Sequence, residues 1–110
     1  MDHLGKSWSR STRLAANLRC LANDLERIAS GLGPTDLEIA FAPVLRDWRP
    51  CLTSTADPAI KGVLSGHAVI TDGERLYAEI LAADPDLLWV RLWGGFYRLG
   101  ASASEEGVHG

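Results

Sequence analysis

The chain has few of the features that would name an activity outright. It has no apolar run near the roughly 18 residues that a membrane-spanning helix needs. Its amino terminus, MDHLGKSWSR, has none of the apolar core of a secretory signal, so secretion is not expected. Its two cysteines, Cys20 and Cys51, are too few and too far apart for a zinc or redox motif, and they read as free thiols in a reducing cytoplasm. The glycines of SGLGP lack the preceding strand and the lysine of a phosphate loop, and Asp84-Pro85-Asp86 lacks the remaining positions of a calcium loop. Excess positive charge is missing too: a net charge of −3 argues against a protein that coats nucleic acid. The expectation is a cytoplasmic, non-enzymatic protein with no cofactor and no metal.

What is present is an ordinary globular composition, 46% apolar and 23% charged over 110 residues, enough for one core. A single domain over 1–110 is therefore expected. The charge is unevenly placed. Through Pro34, five basic residues (Lys6, Arg10, Arg13, Arg19, Arg27) meet three acidic ones, giving +2; from Thr35 onward six basic residues meet eleven acidic ones, giving −5. Such asymmetry is compatible with two different contact surfaces.

Residues 10–30 are the clearest helix: Leu14, Leu18, Leu21, Leu25 and Ile28 recur at spacings of four and three, which draws one narrow apolar stripe. Ser9 or Ser11 can cap its start, and Gly31 stops it. The stripe is expected to dock on a sheet or on its own copy in a homodimer. Arg10 and Arg13 lie at the positive end of the helix, where, with Lys6, they either stay solvated or meet the acidic groups of a partner. Thr35 and Glu38 have the spacing of a capping box for a short second helix behind Pro34. After it, APVLRDWRP reads as a further turn and residues 50–58 as a loop.

From Ala59 the pattern is β. AIKGVL and HAVIT are short apolar runs, Asp72-Gly73 is a hairpin signal, and ERLYAEILA is read as a strand. The stretch LLWVRLWGGFYRLG reads as a hairpin turning on Gly94 and Gly95. That turn sets Arg91 opposite Arg98, with Leu88, Val90, Leu92, Tyr97 and Leu99 on one face and Trp89, Arg91, Trp93, Phe96 and Arg98 on the other. The fold class is α+β: a long amino-terminal helix and a short second helix packed on a four- to five-stranded antiparallel meander. Residues 1–9 are expected to be flexible, 10–48 helical, 59–100 sheet and 101–110 a disordered tail.

GHAVITDG followed by LLWVRLWGGFYRLG resembles a family of small uncharacterised bacterial and prophage proteins. That family pairs a Gly-His-Pro segment and an Asp-Gly turn with a terminal Trp-x-Arg…Tyr-Arg-Leu-Gly hairpin. The matching residues are Gly66, His67, Asp72, Gly73, Trp89, Arg91, Tyr97, Arg98, Leu99 and Gly100, and DWRP at 47–50 also fits. Ala68, Ala78-Glu79 and Gly94-Gly95 depart from the pattern. The resemblance covers about the last two-thirds of the chain, implies a β-hairpin domain and carries no activity.

Like charges directly opposite on a sheet are destabilising, so Arg91 beside Arg98 calls for a reason. The guanidinium groups either stack on Trp89, Trp93 or Phe96, or lie beneath the amino-terminal helix, or form an exposed Trp/Arg patch of interface composition. The third option makes Trp89, Arg91, Trp93, Phe96 and Arg98 a partner-binding face, with Lys6, Arg10 and Arg13 as a secondary basic patch. The expected function is then a small binding protein directed at a protein or ribonucleoprotein, in its most concrete form a mobile-element inhibitor of a host defence complex, anti-CRISPR-like. The alternatives are a nucleic-acid-binding regulator using Lys6, Arg10, Arg13, Arg91 and Arg98, and a small enzyme around His67 with Asp72 and Ser65 or Thr71. His3 and His109 sit in expected tails, away from any shared metal site.

Overall fold

The computed structural model describes residues 2–68 and 70–103, with side chains from Ser9 onward. The chain forms two compact units, divided after Gly33.

The first unit is one helix, α1 (Asp2–Ala29). It begins eight residues before Arg10, so the backbone of residues 2–9 is helical where a flexible segment and a serine cap were expected. No proline interrupts that stretch, and Ser9 and Ser11 are carried inside the helix, a position they tolerate. Its end follows expectation. Gly31 takes φ 83°, the left-handed conformation that glycine adopts without strain, and Leu32 N–H turns back to Arg27 O at 2.8 Å. Leu14 and Leu18 of the apolar stripe are exposed, as are Arg10 and Arg13. Arg27 pairs with Asp24 at 3.2 Å. No helix among the described residues is long and apolar enough to cross a membrane.

The second unit opens with α2 (Asp36–Ala40), held by the anticipated capping box. Glu38 N–H donates to Thr35 Oγ1 at 3.1 Å, and Thr35 N–H donates to the Glu38 carboxylate at 3.0 Å. Six strands follow: β1 (Val44–Leu52), β2 (Pro58–Ser65), β3 (Arg75–Glu79), β4 (Ala82–Ala83), β5 (Trp89–Leu92) and β6 (Gly95–Leu99). They form one sheet in the order β3-β2-β1-β6-β5-β4, and α2 packs on β6. The α+β class holds, but the sheet has six strands and is mixed. The four- to five-stranded antiparallel meander is corrected by the parallel pairing of β1 with β6, through Val44–Arg98 and Leu45–Leu99.

That pairing closes two antiparallel three-stranded meanders, β1–β3 and β4–β6, against each other. Along the chain the meanders are connected by just Ile80 and Leu81: Ile80 N–H bonds Pro58 O of β2, and Leu81 N–H bonds Arg91 O of β5. The sheet therefore rolls into a small, partly open barrel whose interior is Leu45, Ile60, Leu64, Val90, Leu92, Tyr97 and Leu99. Trp48, Ile70, Leu76, Ala78 and Ile80 pack against them.

Strand β1 is the largest departure from expectation, since its residues were read as a turn and a loop. It is bulged. Arg46 pairs with Val63 and Arg49 with Lys61, so Asp47 and Trp48 together face Gly62, and Asp47 takes φ 50°. A side chain at Gly62 could not fit: a Cβ there would lie 2.9 Å from both Arg46 O and Leu45 Cγ. Beyond β6 the backbone stays beside β1, with Asp47 N–H to Ala101 O and Ala103 N–H to Trp48 O, each 2.8 Å. Residues 101–103 of the expected disordered tail are thus bound to the barrel; the rest of that tail lies outside the described residues. The described residues of the HAVIT run, His67, Ala68, Ile70 and Thr71, are not strand. Gly66 takes φ 76° and opens a loop that leads through Asp72 and Gly73 into β3.

Candidate functional site

The last hairpin turns on Trp93 and Gly94, not on Gly94 and Gly95. Leu92 pairs with Gly95, Arg91 with Phe96, Val90 with Tyr97 and Trp89 with Arg98. Only Gly95 of the two glycines has a positive φ, 144°, so the turn forms one position earlier than a double-glycine turn would. The register slips by two residues, which preserves the faces and changes the partners. Val90, Leu92, Tyr97 and Leu99 are core as expected; Leu88 is exposed, in the turn that the left-handed Leu87 makes before β5.

The predicted Arg91–Arg98 juxtaposition does not exist. Arg91 is buried, only 3% exposed, with its guanidinium 5.5 Å from the centre of the Phe96 ring and donating to Leu92 O and Trp93 O. Phe96 in turn meets Trp89 edge to face at 5.4 Å. Trp89 and Phe96 are half-buried, and Trp93 and Arg98 are exposed. Arg91 is thus held inside by the internal cation–π packing weighed above, and the aromatic/arginine face keeps two exposed members.

His67 and Asp72 are occupied within the 66–74 loop. His67 Nδ1 accepts from Ile70 N–H at 3.1 Å, its ring stacks 6.1 Å from Tyr97, and Asp72 accepts from Gly66 N–H at 2.8 Å. Both side chains fix the loop between β2 and β3. Burial pushes the Tyr97 phenol above its ordinary value, an effect that the Arg91 charge opposes. Among the described residues no three His, Cys, Asp or Glu side chains come together as metal ligands. The side chains of His3 and Lys6, and all of His109, lie outside the described residues.

The strongest assembly is one that sequence reading missed. The outer face of β1, β2 and β3 carries a groove of about 590 Å³ lined by Asp47, Arg49, Lys61, Gly62, Val63, Arg75, Leu76, Tyr77 and Ala103. Register explains its composition. Arg49, Lys61 and Tyr77 form one row across the three strands, and Arg46, Val63 and Arg75 form the next. Side chains opposite one another share a face, so the two rows stand together on the outside. Arg46, Arg49, Lys61 and Arg75 are all exposed, and none has an ion-pair partner among the described residues.

Tyr77 is 57% exposed, and its hydroxyl donates to Leu52 O of β1 at 3.3 Å. Because β2 separates β3 from β1, that bond lays the ring across the sheet surface. Four of the six cations of the acidic half of the chain therefore share one face. Its other described acidic residues lie on α2 (Asp36, Glu38), in the 53–57 loop (Asp57) and in the turns at 72–74 and 84–86, whereas Glu79 shares the outward side of β3 with Arg75 and Tyr77. Among the described residues, Asp47 is the carboxylate that lines the groove itself. The signal in the sequence was the outward-facing alternation Lys61-x-Val63 and Arg75-x-Tyr77, which pointed to this face only once β1 was recognised as their neighbour.

No curated protein and no solved structure matches the chain. A model of a protein family matches residues 13–107, which takes in most of α1 as well as the barrel, beyond the carboxyl-terminal two-thirds in which a resemblance was noted. The chain belongs to that family, a family of unknown function (DUF6634).

Proposed function

We propose that the chain is a non-enzymatic binding module that acts by occupying an anionic macromolecular partner along the outer face of β1, β2 and β3. The observation that carries this reading is Arg49 held directly opposite Lys61, with Arg46 and Arg75 one row away and, among the described residues, no carboxylate paired to any of them. Like charges set opposite on a sheet oppose folding, and a negatively charged partner relieves them. The net charge of −3 is no obstacle, because binding follows the local field, and among the described residues of this face Arg46, Arg49, Lys61 and Arg75 outnumber Asp47 and Glu79.

The test is binding of the full chain to a labelled anionic polymer such as heparin, measured against salt. The wild type is expected to bind with an affinity that falls steeply as salt rises. The triple variant R49A/K61A/R75A is expected not to bind. Equal binding by both would remove the basis of the reading.

A second, protein-directed contact is favoured by the exposure of Trp93 and Arg98, residue types that dominate interface hot spots. An inhibitor of a host defence complex is its most concrete form. Capture of a bacterial protein by the wild type and not by W93A/R98A would support it, and capture unaffected by that pair would dismiss it.

A further inference from the structure

The contents of the groove favour one kind of anion. An acidic polypeptide or a sulfated polymer needs only cations, and the groove has two features that such a partner would leave unused. The first is Tyr77, whose side chain is tethered across the sheet by its hydroxyl bond to Leu52 O, with much of its surface in water. A flat, exposed aromatic beside a basic track is the arrangement on which nucleobases stack. The second is Asp47, which the bulge of β1 turns into the groove lining between Arg46 and Arg49. A carboxylate there repels a phosphate or a second carboxylate. It accepts a hydrogen bond from the exocyclic amino group of a base.

We infer that the occupant is a single-stranded nucleic acid, its phosphates over Arg46, Arg49, Lys61 and Arg75 and a base stacked on Tyr77. This rests on the binding-module reading above and names its partner. The groove presents no helix that could enter a major groove, so paired bases would stay out of reach of both Tyr77 and Asp47. Neutralisation of about four phosphates gives a slope of log K against log salt near −3, since each contributes about 0.7 on a single strand. Between 50 and 200 mM salt that slope is roughly a 50-fold loss of affinity.

The experiment is fluorescence anisotropy on the full chain with labelled 12-nucleotide dC and dT oligomers, a duplex of the same length, and polyglutamate. The single strands are expected to bind more tightly than the duplex, and polyglutamate not at all. Y77A is expected to lose about tenfold in affinity, and Y77F, which keeps the ring, to retain it. D47N is expected to narrow the preference for dC over dT. If polyglutamate or the duplex binds as well as the single strands, or Y77A binds normally, the nucleic-acid assignment is wrong while the anionic-partner reading stands. If no polyanion binds, both fall.

Discussion

Lys61→Glu separates a binding surface from a stabilising one, because the two make opposite predictions for it. Lys61 stands in the middle strand of the outer face, opposite Arg49 on β1 and Tyr77 on β3. A directly opposed like-charge pair is unfavourable, and an opposed pair of unlike charges contributes roughly 0.2–1 kcal/mol. Replacing the lysine by glutamate removes the first term and adds the second. Both side chains are exposed, so the sum is discounted for solvent screening to a gain of about 0.5–1 kcal/mol. For a unit of this size that raises Tm by roughly 2–8 °C at low ionic strength. In 1 M salt, where the screening length falls to about 3 Å, the gain is expected to shrink toward zero. The same substitution changes the charge of the groove by two and is expected to abolish binding of any anionic polymer. Thermal melts at two salt concentrations and one anisotropy titration measure all three effects. A Lys61→Glu protein that melts earlier than the wild type at low salt, or that binds polyanions unchanged, would refute the reasoning.

Arg91→Ala removes a buried guanidinium together with its two carbonyl contacts and its place over Phe96, and is expected to lower stability by about 1–3 kcal/mol without altering polyanion binding; chemical denaturation checks it. Gly62→Ala forces a Cβ against Arg46 O and the Leu45 side chain, and is expected to destabilise by roughly 1–3 kcal/mol, read as a lower denaturation midpoint. Tyr97 is harder to ionise in the folded state than in the unfolded one, because burial raises its pKa. The stability that follows is intact below about pH 10 and is lost as the pH rises through the folded value, since the unfolded chain gives up the proton first. Tyr97→Phe is therefore expected to flatten the alkaline limb of a stability–pH curve, and an unchanged limb would remove Tyr97 as its cause.

Features governed by neighbours in the chain were legible in the sequence. Gly31 ends α1, the Thr35–Glu38 box starts α2, and alternation assigned Val90, Leu92, Tyr97 and Leu99 to the core. Features governed by distant partners were not. Strand β1 contains Pro50, two arginines and an aspartate in a left-handed conformation, a local composition that reads as turn; its status as a strand is conferred by β2 on one side and β6 on the other. The last hairpin slipped because two adjacent glycines permit more than one two-residue turn, and the registers differ by two residues. That slip moved the like-charge argument to the wrong pair. The opposed cations exist, but they are Arg49 and Lys61, which no local pattern could place together before β1 was known. The described groove-lining residues lie on three strands between positions 47 and 77, with Ala103 as a remote contribution.

The short seam between β1 and β6 has a consequence for how the barrel assembles. Every other strand pair joins neighbours in sequence through a turn or short loop, whereas Val44 and Arg98 are 54 positions apart. Closing a loop of that length carries the largest entropic penalty in the β unit, and its direct backbone pairing is short, two ladder pairs and the neighbouring residues 100–103, beside the shared core. The seam is accordingly expected to form late and to be where the native barrel first opens. The three strands that carry the cations and Tyr77 lie together on one side of it. They can pair into a contiguous surface before the chain beyond Glu79 has joined them, so assembly of the cationic face and closure of the hydrophobic interior are expected to be separable events.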